Sequence, residues 1–283
     1  MLNSRIDLHI HSTASDGCWT PEEVALQAYS AGISLISLTD HDTIAGVDSV
    51  IASCAPYGIG VIPGVEMSSK HNGNLIHILG YGVDWTDPAF VSMVEANGTM
   101  LADYDDRLVL SLVNAGYRID MQEYQDYTWD LGRGGWKSLN YLIDIGLCRD
   151  VRSFFDELFV DDLEATFPQF PPPTEVIRSI KAAGGVGVWA HPITNMSDEH
   201  SSNRMLLTDM IEAGVEGLEC YSCRHDEAWT EQFLRWANEN DLLITGGSDS
   251  HGGFVDRQIG VPELHLSDLR LGAQLTDSVR YKT

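Results

Sequence analysis

The stretch Arg5-Ile6-Asp7-Leu8-His9-Ile10-His11-Ser12, followed by Asp16, decides how the rest of the chain is read. Arg5 to Ile10 has the length and apolar content of a short buried strand. Side chains two residues apart on a strand point to one face. His9 and His11 can therefore reach one metal ion together, with Asp16 arriving from the loop just beyond. A strand that ends in histidines and then turns through Ser, Asp and Gly is poorly suited to packing alone. Taken singly, the segment also fits a pair of hydrogen-bonded core histidines. Recurrence of the same pattern down the chain argues against that account.

Thr20-Pro21-Glu22-Glu23 reads as a helix start, with Thr20 and Glu23 forming a capping box and Pro21 in the first turn. That helix runs to about Ala31, where Gly32 ends it. Ile33 to Leu38 is an apolar run of strand length leading into Thr39-Asp40-His41-Asp42. A second helix is expected over about Thr43 to Ala55. A strand over Ile59 to Ile62 closes on Gly64-Val65-Glu66, and another over Leu75 to Tyr81 contains His77. The repeated unit is strand, polar loop, helix, which predicts a parallel sheet or barrel with helices outside. In such folds the site lies at the C-terminal ends of the strands.

From about Pro88 to Pro173 the strand rhythm stops. Helical periodicity over Asp103 to Ala115 and Lys137 to Ile145 predicts a mostly helical insertion, left through the stiff stretch Phe167 to Pro173. Gly132-Arg133-Gly134-Gly135-Trp136-Lys137 within it suits either a phosphate-gripping turn or a surface loop before a helix. The βα rhythm resumes with a helix over Thr174 to Ala183 and a strand over Val186 to Trp189, ending in Ala190-His191-Pro192. A helix over about Arg204 to Ala213, a strand over Glu216 to Tyr221, a helix over Asp226 to Asn240 and a strand over Leu242 to Thr245 follow. Arg224 and His225 lie just past the end of the strand Glu216 to Tyr221, and Ser248-Asp249-Ser250-His251 past the last.

Collected from these positions, His9, His11, Asp16, His41, Glu66, His77, His191, Asp249 and His251 hold six of the ten histidines. Imidazole and carboxylate suit zinc, manganese or iron. A mononuclear site takes three or four protein ligands, so nine candidates fit two or three ions, with Glu66 or Asp249 able to bridge. Asp40 and Asp42 are expected to orient His41, and Asp7 to support the ligands from beneath.

The 283 residues suffice for one large α/β domain with an insertion, and 43% hydrophobic content is ordinary for a globular chain. No apolar run of transmembrane length and no apolar leader is present, which predicts a cytoplasmic protein without membrane contact. The net charge of −25 repels nucleic-acid backbones and acidic surfaces, so no nucleic-acid polymer is expected as partner. An anionic substrate then needs local positive charge, which divalent ions supply. The five cysteines form no disulfide framework, and Cys220 and Cys223 read as ordinary cysteines at a strand end.

The motifs Asp7-Leu8-His9-Ile10-His11-Ser12, Leu38-Thr39-Asp40-His41-Asp42, Gly64-Val65-Glu66, Ala190-His191-Pro192 and Ser248-Asp249-Ser250-His251 together resemble those of the PHP (polymerase and histidinol phosphatase) family. The resemblance spans about residues 5–82 and 174–255, in the family's order. It implies a distorted (β/α)7 barrel, built from residues 1–87 and 174–283, with a helical substrate lid at 88–173. It also implies two or three divalent ions (Mn, Zn or Fe). One would take His9, His11, Glu66 and Asp249; a second Glu66, His77 and His191; a third Asp16, His41 and His251. An aspartate at position 16, where histidine is common, resembles the small-molecule phosphoesterase branch.

The expected reaction is hydrolysis of a phosphate ester of a small bisphosphorylated metabolite by a metal-bridging hydroxide. Asp249 is expected to orient the nucleophile, and His225 to contact substrate or act as acid. Arg133, Lys137 and Arg224 are candidates for a second phosphate. One branch of the resembling enzymes carries Gly-Arg-Pro-His where this chain has Gly132-Arg133-Gly134-Gly135, and acts as a nucleoside 3′,5′-bisphosphate 3′-phosphatase. The departure favours the branch that opens 5-phosphoribosyl 1,2-cyclic phosphate. The alternatives are the nucleotide phosphatase, a histidinol phosphatase, C–N bond hydrolysis by a related metal barrel, and a non-catalytic regulatory PHP module.

Overall fold

The computed structural model describes residues 4–158, 168–197 and 199–281. Phe167, expected to open the stiff exit from the insertion, lies outside the described residues, as does the rest of 159–167. In chain order come β1 (Arg5–Ile10), α1 (Pro21–Ser30), β2 (Ile33–Leu38), α2 (Val47–Cys54), β3 (Gly60–Val61), β4 (Gly64–His71) and β5 (Asn74–Tyr81). Next are α3 (Pro88–Asn114), α4 (Met121–Asp126), α5 (Lys137–Asp144) and α6 (Val151–Ser153). The second half holds α7 (Pro173–Ala182), β6 (Val186–Trp189), α8 (His200–Ala213), β7 (Gly217–Ser222), α9 (Glu227–Glu239), β8 (Leu243–Gly247), β9 (Leu264–His265) and α10 (Gly272–Asp277). Among the described residues no helix is long and apolar enough to cross a membrane.

The strands form two sheets, ordered β3-β2-β1-β9 and β4-β5-β6-β7-β8. Two parallel single-residue bridges, Ile10 to Ser250 and His41 to Glu66, tie the sheets together. Both bridges lie just past strand ends or beside the ligand-type residues, so the seams fall where the candidate site is built. Asp7 reinforces one seam from below. Its buried carboxylate accepts from the backbone N–H groups of Ser248 (2.9 Å), Gly260 (2.8 Å) and His9 (3.3 Å).

The expected run of parallel βα units is broken at β5, which is antiparallel to both β4 and β6. The cause is local. Asn72 and Gly73 join β4 to β5 with φ of 49° and 86°, and positive φ at both central residues is what a two-residue type I′ hairpin requires. Glu66 is accordingly the third residue of a long β4 instead of a residue trailing a strand over 59–62. His77 sits mid-strand in β5, which pairs it across the hairpin with Ser68. The helix expected from Thr43 starts only at Val47, after Gly46.

Capping chemistry behaves as the sequence indicates at α1, where Thr20 and Glu23 form both arms of the box. The insertion differs from expectation in one respect. Its first helix is a single 27-residue α3, capped by Asp87 and begun by Pro88. Phe90 and Val94 pack with β4, β5 and α7 in the main core, whereas Leu108, Val109 and Leu112 pack with α5, Tyr124 and Phe154 in a separate one. One helix thus serves two cores, and a stretch with no buried residue between Asn97 and Leu108 hides the continuity from a periodicity count.

Gly247 marks how closely β8 approaches β1. A Cβ there would lie 2.5 Å from His9 Cβ and 2.9 Å from Asp7 Oδ1. Gly247→Ala should cost about 1–3 kcal/mol of stability by overpacking, read by urea denaturation; an unchanged midpoint would show that the seam yields. A second expectation concerns α3. Burial pushes the Asp105 carboxyl up to about 6, against hydrogen bonds from Ser138 and Tyr124. The folded state then holds a proton that the unfolded chain releases above ~3.9. That contribution is present at low pH and lost as pH rises through about 6. Asp105→Asn should gain stability relative to wild type between pH 4 and 7; a flat difference over that window would contradict the assignment.

Candidate metal centre

Glu66 is fully buried, and five histidines surround its carboxylate. Oε2 lies 3.1 Å from His9 Nε2, 3.2 Å from His11 Nε2 and 3.3 Å from His41 Nδ1. Oε1 lies 3.0 Å from His77 Nδ1 and 2.9 Å from His191 Nε2. Asp249 Oδ1 adds contacts of 3.2 Å to His11 Nε2 and 3.6 Å to His9 Nε2. Asp16 closes the far side, 3.7 Å from His11 Nδ1 and 3.4 Å from His251 Nε2. All nine ligand-type residues singled out from the sequence come together.

Eight of them, all but His191, fall into overlapping groups whose donor atoms lie within 4.8 Å of one another: His9, His11, Glu66 and Asp249; His11, Asp16, His41 and His251; and His41, Glu66 and His77. His41 therefore reaches both sides of the cluster. Both ring nitrogens of His11 and Nδ1 of His77 are buried with no partner in hydrogen-bond geometry. Such orphaned groups cost about 1–3 kcal/mol each, and a cation between them and the carboxylates removes that cost. Imidazole plus carboxylate is also a donor set for zinc, manganese or iron. The residues present fit divalent metal.

Without cations the carboxylates hold protons on their neighbours. Burial works against charge on His11, yet Asp249 and Glu66, with Asp16 behind, raise it to about 10. Burial opposes charge on His9 too, and Glu219, Glu66 and Asp249 outweigh it, lifting His9 well above the ordinary histidine range. Burial alone would raise Glu66, but His9, His41 and His77 draw it well below the usual carboxylate range. Burial brings His41 down to about 3 and keeps it neutral.

The supporting residues are only partly where the sequence put them. Asp40 accepts from Ser12 N (2.7 Å), Ser12 Oγ (2.8 Å) and Ser15 Oγ (2.6 Å), so it braces the loop carrying Asp16. Asp42 accepts from Ser68 N (2.8 Å) and Asn97 Nδ2 (3.0 Å), linking the site to β4 and α3.

A PHP domain model matches residues 7–142. A 5′-3′ exoribonuclease of Haemophilus influenzae is 31% identical over 255 residues, covering 88% of this chain and 91% of that protein. A phosphoribosyl 1,2-cyclic phosphate 1,2-diphosphodiesterase of Eggerthella lenta is 30% identical over 262 residues, covering 88% and 94%. The chain belongs to the PHP family. Among solved structures, an amidohydrolase from Chromobacterium violaceum with bound SO4 and no metal superposes with a TM-score of 0.81 at 26% identity, covering 98% of this chain and 97% of that one. This PHP protein is a hydrolase acting on phosphate ester bonds, and a metal-dependent one.

Two residues that touch the ligand-type cluster escaped the sequence reading. Glu219 lies fully buried beneath His9, with Oε1 2.8 Å from His9 Nδ1. A carboxylate midway along the apolar strand Gly217-Leu218-Glu219-Cys220 was the available signal. Arg257 reaches Asp249 Oδ2 at 2.5 Å, opposite Arg224 Nε at 2.9 Å on the same oxygen. A basic residue six past His251, in a chain with only 17 Lys and Arg, was the signal there.

The remaining candidates are placed as follows. Arg133 makes a two-pronged ion pair with Asp144 (3.0 and 2.9 Å). Lys137 donates to the Gln125 carbonyl at 3.0 Å and lies over the Tyr124 ring. Both are thus partnered inside the insertion. The turn between them does touch the site, since Gly135 N–H donates to the Asp16 carbonyl at 2.7 Å. His225 Nδ1 lies 3.0 Å from the Cys220 carbonyl, and its Nε2 is buried without a partner. Cys220 and Cys223 are free thiols and belong to none of the metal-type groups among the described residues.

Metal uptake should release protons. His11 holds one at pH 7 that a cation must displace, so apparent zinc affinity should rise with pH between 6 and 9, by up to about tenfold per pH unit for each proton displaced. Calorimetry in buffers of different ionisation enthalpy reads this directly; zinc binding independent of both pH and buffer would contradict it.

Proposed function

We propose that this PHP protein hydrolyses a phosphate ester of a small metabolite carrying a second, non-reacting phosphate, with 5-phosphoribosyl 1,2-cyclic phosphate as first candidate. The observation that carries the proposal is the buried Glu66 carboxylate ringed by five imidazoles, with Asp249 and Asp16 completing sites for two or three divalent ions. We assign His9, His11, Glu66 and Asp249 to one ion, Glu66, His77 and His191 to a second, and Asp16, His41 and His251 to a third. When bound, such ions lower the pKa of water from about 15.7 towards ~7 and neutralise phosphoryl oxygens. The E. lenta relative named for the cyclic substrate supports the first candidate.

The chain's own residues do the rest. We take β1, β2 and β4 to β8 as one distorted (β/α)7 barrel, and residues 88–173 as a lid seated on the Asp16 loop. Arg224 and Arg257, both partly exposed and held by Asp249, are the groups we assign to the second phosphate, ahead of Arg133 and Lys137. Asp249 orients the attacking group. His225 has its Nδ1 proton engaged by the Cys220 carbonyl, and burial lowers its basicity. A neutral ring fixed in that tautomer offers an acceptor at Nε2, so His225 suits substrate contact better than proton donation.

A second reading is an RNA end, which the exoribonuclease relative favours, or a nucleoside 3′,5′-bisphosphate, for which a Chromobacterium violaceum relative is named. Ring opening of the cyclic ribose phosphate, mononucleotide release from 5′-phosphorylated RNA, and phosphate release from a nucleoside 3′,5′-bisphosphate, histidinol phosphate and an aryl phosphate rank these substrates. His9→Ala should lose about 10³-fold or more in kcat/KM, the several kcal/mol that metal chemistry supplies. Hydrolysis of none of these esters by metal-loaded wild type would defeat the proposal. Arg257→Ala should raise KM about 10- to 100-fold for doubly phosphorylated substrates, as loss of a charge-assisted hydrogen bond does, and leave the aryl phosphate unaffected. An equal loss on the aryl phosphate would mean that Arg257 acts only by holding Asp249.

A further inference from the structure

We propose that Glu219 is a positioning residue of the metal centre: one buried carboxylate that fixes the ring tautomer of His9 and the backbone of His191 at the same time. The inference rests on the metal-site reading above.

Glu219 is the third residue of β7 and is fully buried. Its neighbours Leu218 and Cys220 belong to the main apolar core. A carboxylate in that strand needs partners, because an unpaired buried charge is strongly disfavoured. It has two. Oε1 lies 2.8 Å from His9 Nδ1, and Oε2 lies 2.6 Å from the backbone N of His191.

A carboxylate only accepts, so the His9 proton must sit on Nδ1. A neutral imidazole carries one proton, and Nε2 is then left with its lone pair. Nε2 is the nitrogen that faces Glu66 and Asp249, at 3.1 and 3.6 Å. The tautomer set from below is therefore the one able to ligate from above.

His191 is held through its main chain. Its φ is 27°, a backbone region that residues other than glycine rarely adopt. In that conformation its N–H meets Glu219 Oε2, while its Nε2 comes within 2.9 Å of Glu66 Oε1. The rings of His9 and His191 end up 5.7 Å apart and 20° from parallel. Two ligands that flank Glu66, one from each sheet, thus share a single support.

Glutamine keeps the shape but replaces one acceptor oxygen by an NH2 donor. Facing His191, that donor meets an N–H. Facing His9, it forces the ring to accept at Nδ1 and to carry its proton on Nε2, where it blocks ligation. The first orientation leaves the His191 N–H without an acceptor, and the second makes both hydrogen bonds only with the His9 tautomer that cannot ligate at Nε2.

The test compares wild type and Glu219→Gln with zinc as a diamagnetic probe. Calorimetry should show zinc binding weakened about 10- to 100-fold in the variant, the usual cost of losing such a support. Long-range 1H–15N spectra of zinc-loaded wild type should show the His9 proton on Nδ1. The proposal is overturned if Glu219→Gln binds zinc within twofold of wild type, or if wild-type His9 carries its proton on Nε2. The wild-type spectrum decides even if the variant does not fold. Wild type that takes up no zinc would remove the metal-centre reading itself, an outcome distinct from failure of Glu219 alone.

Discussion

The structure turns on one carboxylate. Glu66 has no exposed surface and five imidazole nitrogens at 2.9–3.3 Å. Such a cluster cannot form from any one segment. His9 and His11 come from the end of β1, His41 from past β2, Glu66 from β4, His77 from β5 and His191 from past β6. Bringing these donors to one point requires the two sheets to meet at one end, which the bridges Ile10 to Ser250 and His41 to Glu66 accomplish. The close approach of β8 to β1 at Gly247 and the three backbone donors gathered by Asp7 follow from the same requirement.

The cluster also sets the electrostatics. A chain of net charge −25 has no bulk attraction for an anion. Positive potential must be made locally, and two sources are built into the site. One is the metal ion that the imidazole and carboxylate cluster would hold. The other is the pair Arg224 and Arg257, both anchored on Asp249 Oδ2 while Oδ1 faces the histidines. A single carboxylate thus couples guanidinium groups to the ligand cluster.

Where the insertion meets the Asp16 loop it does so through small groups, while Arg133 and Lys137 are engaged within it. Gly134 and Gly135 have φ of 70° and 73°, and a Cβ at Gly134 would lie 2.6 Å from Phe254 Cβ. Proline, fixed near −65°, cannot occupy such a position. The Gly-Gly pair is therefore a structural departure from a Gly-Arg-Pro-His turn as well as a chemical one. It lets the turn lie against Phe254 and donate to the Asp16 carbonyl, which places the insertion directly on a loop that carries a candidate ligand.

The strand at Arg5–Ile10, the capping box at Thr20 and the resumption of βα units after Pro173 were legible in the sequence, because each is written in local pattern of period and cap; strand-end polarity picked out the ligand-type residues, although Glu66 and His77 lie inside β4 and β5. The hairpin at Asn72-Gly73 was written there too and was passed over, so β5 was given the wrong direction. What the chain alone determined is which side chains could bind metal and that they sit beside strands. What only the tertiary structure decided is how they combine: that Glu66 takes five histidines, that Glu219 stands under His9 and His191, that Arg257 joins Arg224, and that Arg133 and Lys137 are engaged within the insertion. These are contacts between residues tens to hundreds of positions apart, and no local pattern encodes which distant partner a buried carboxylate or guanidinium will meet once the sheets close.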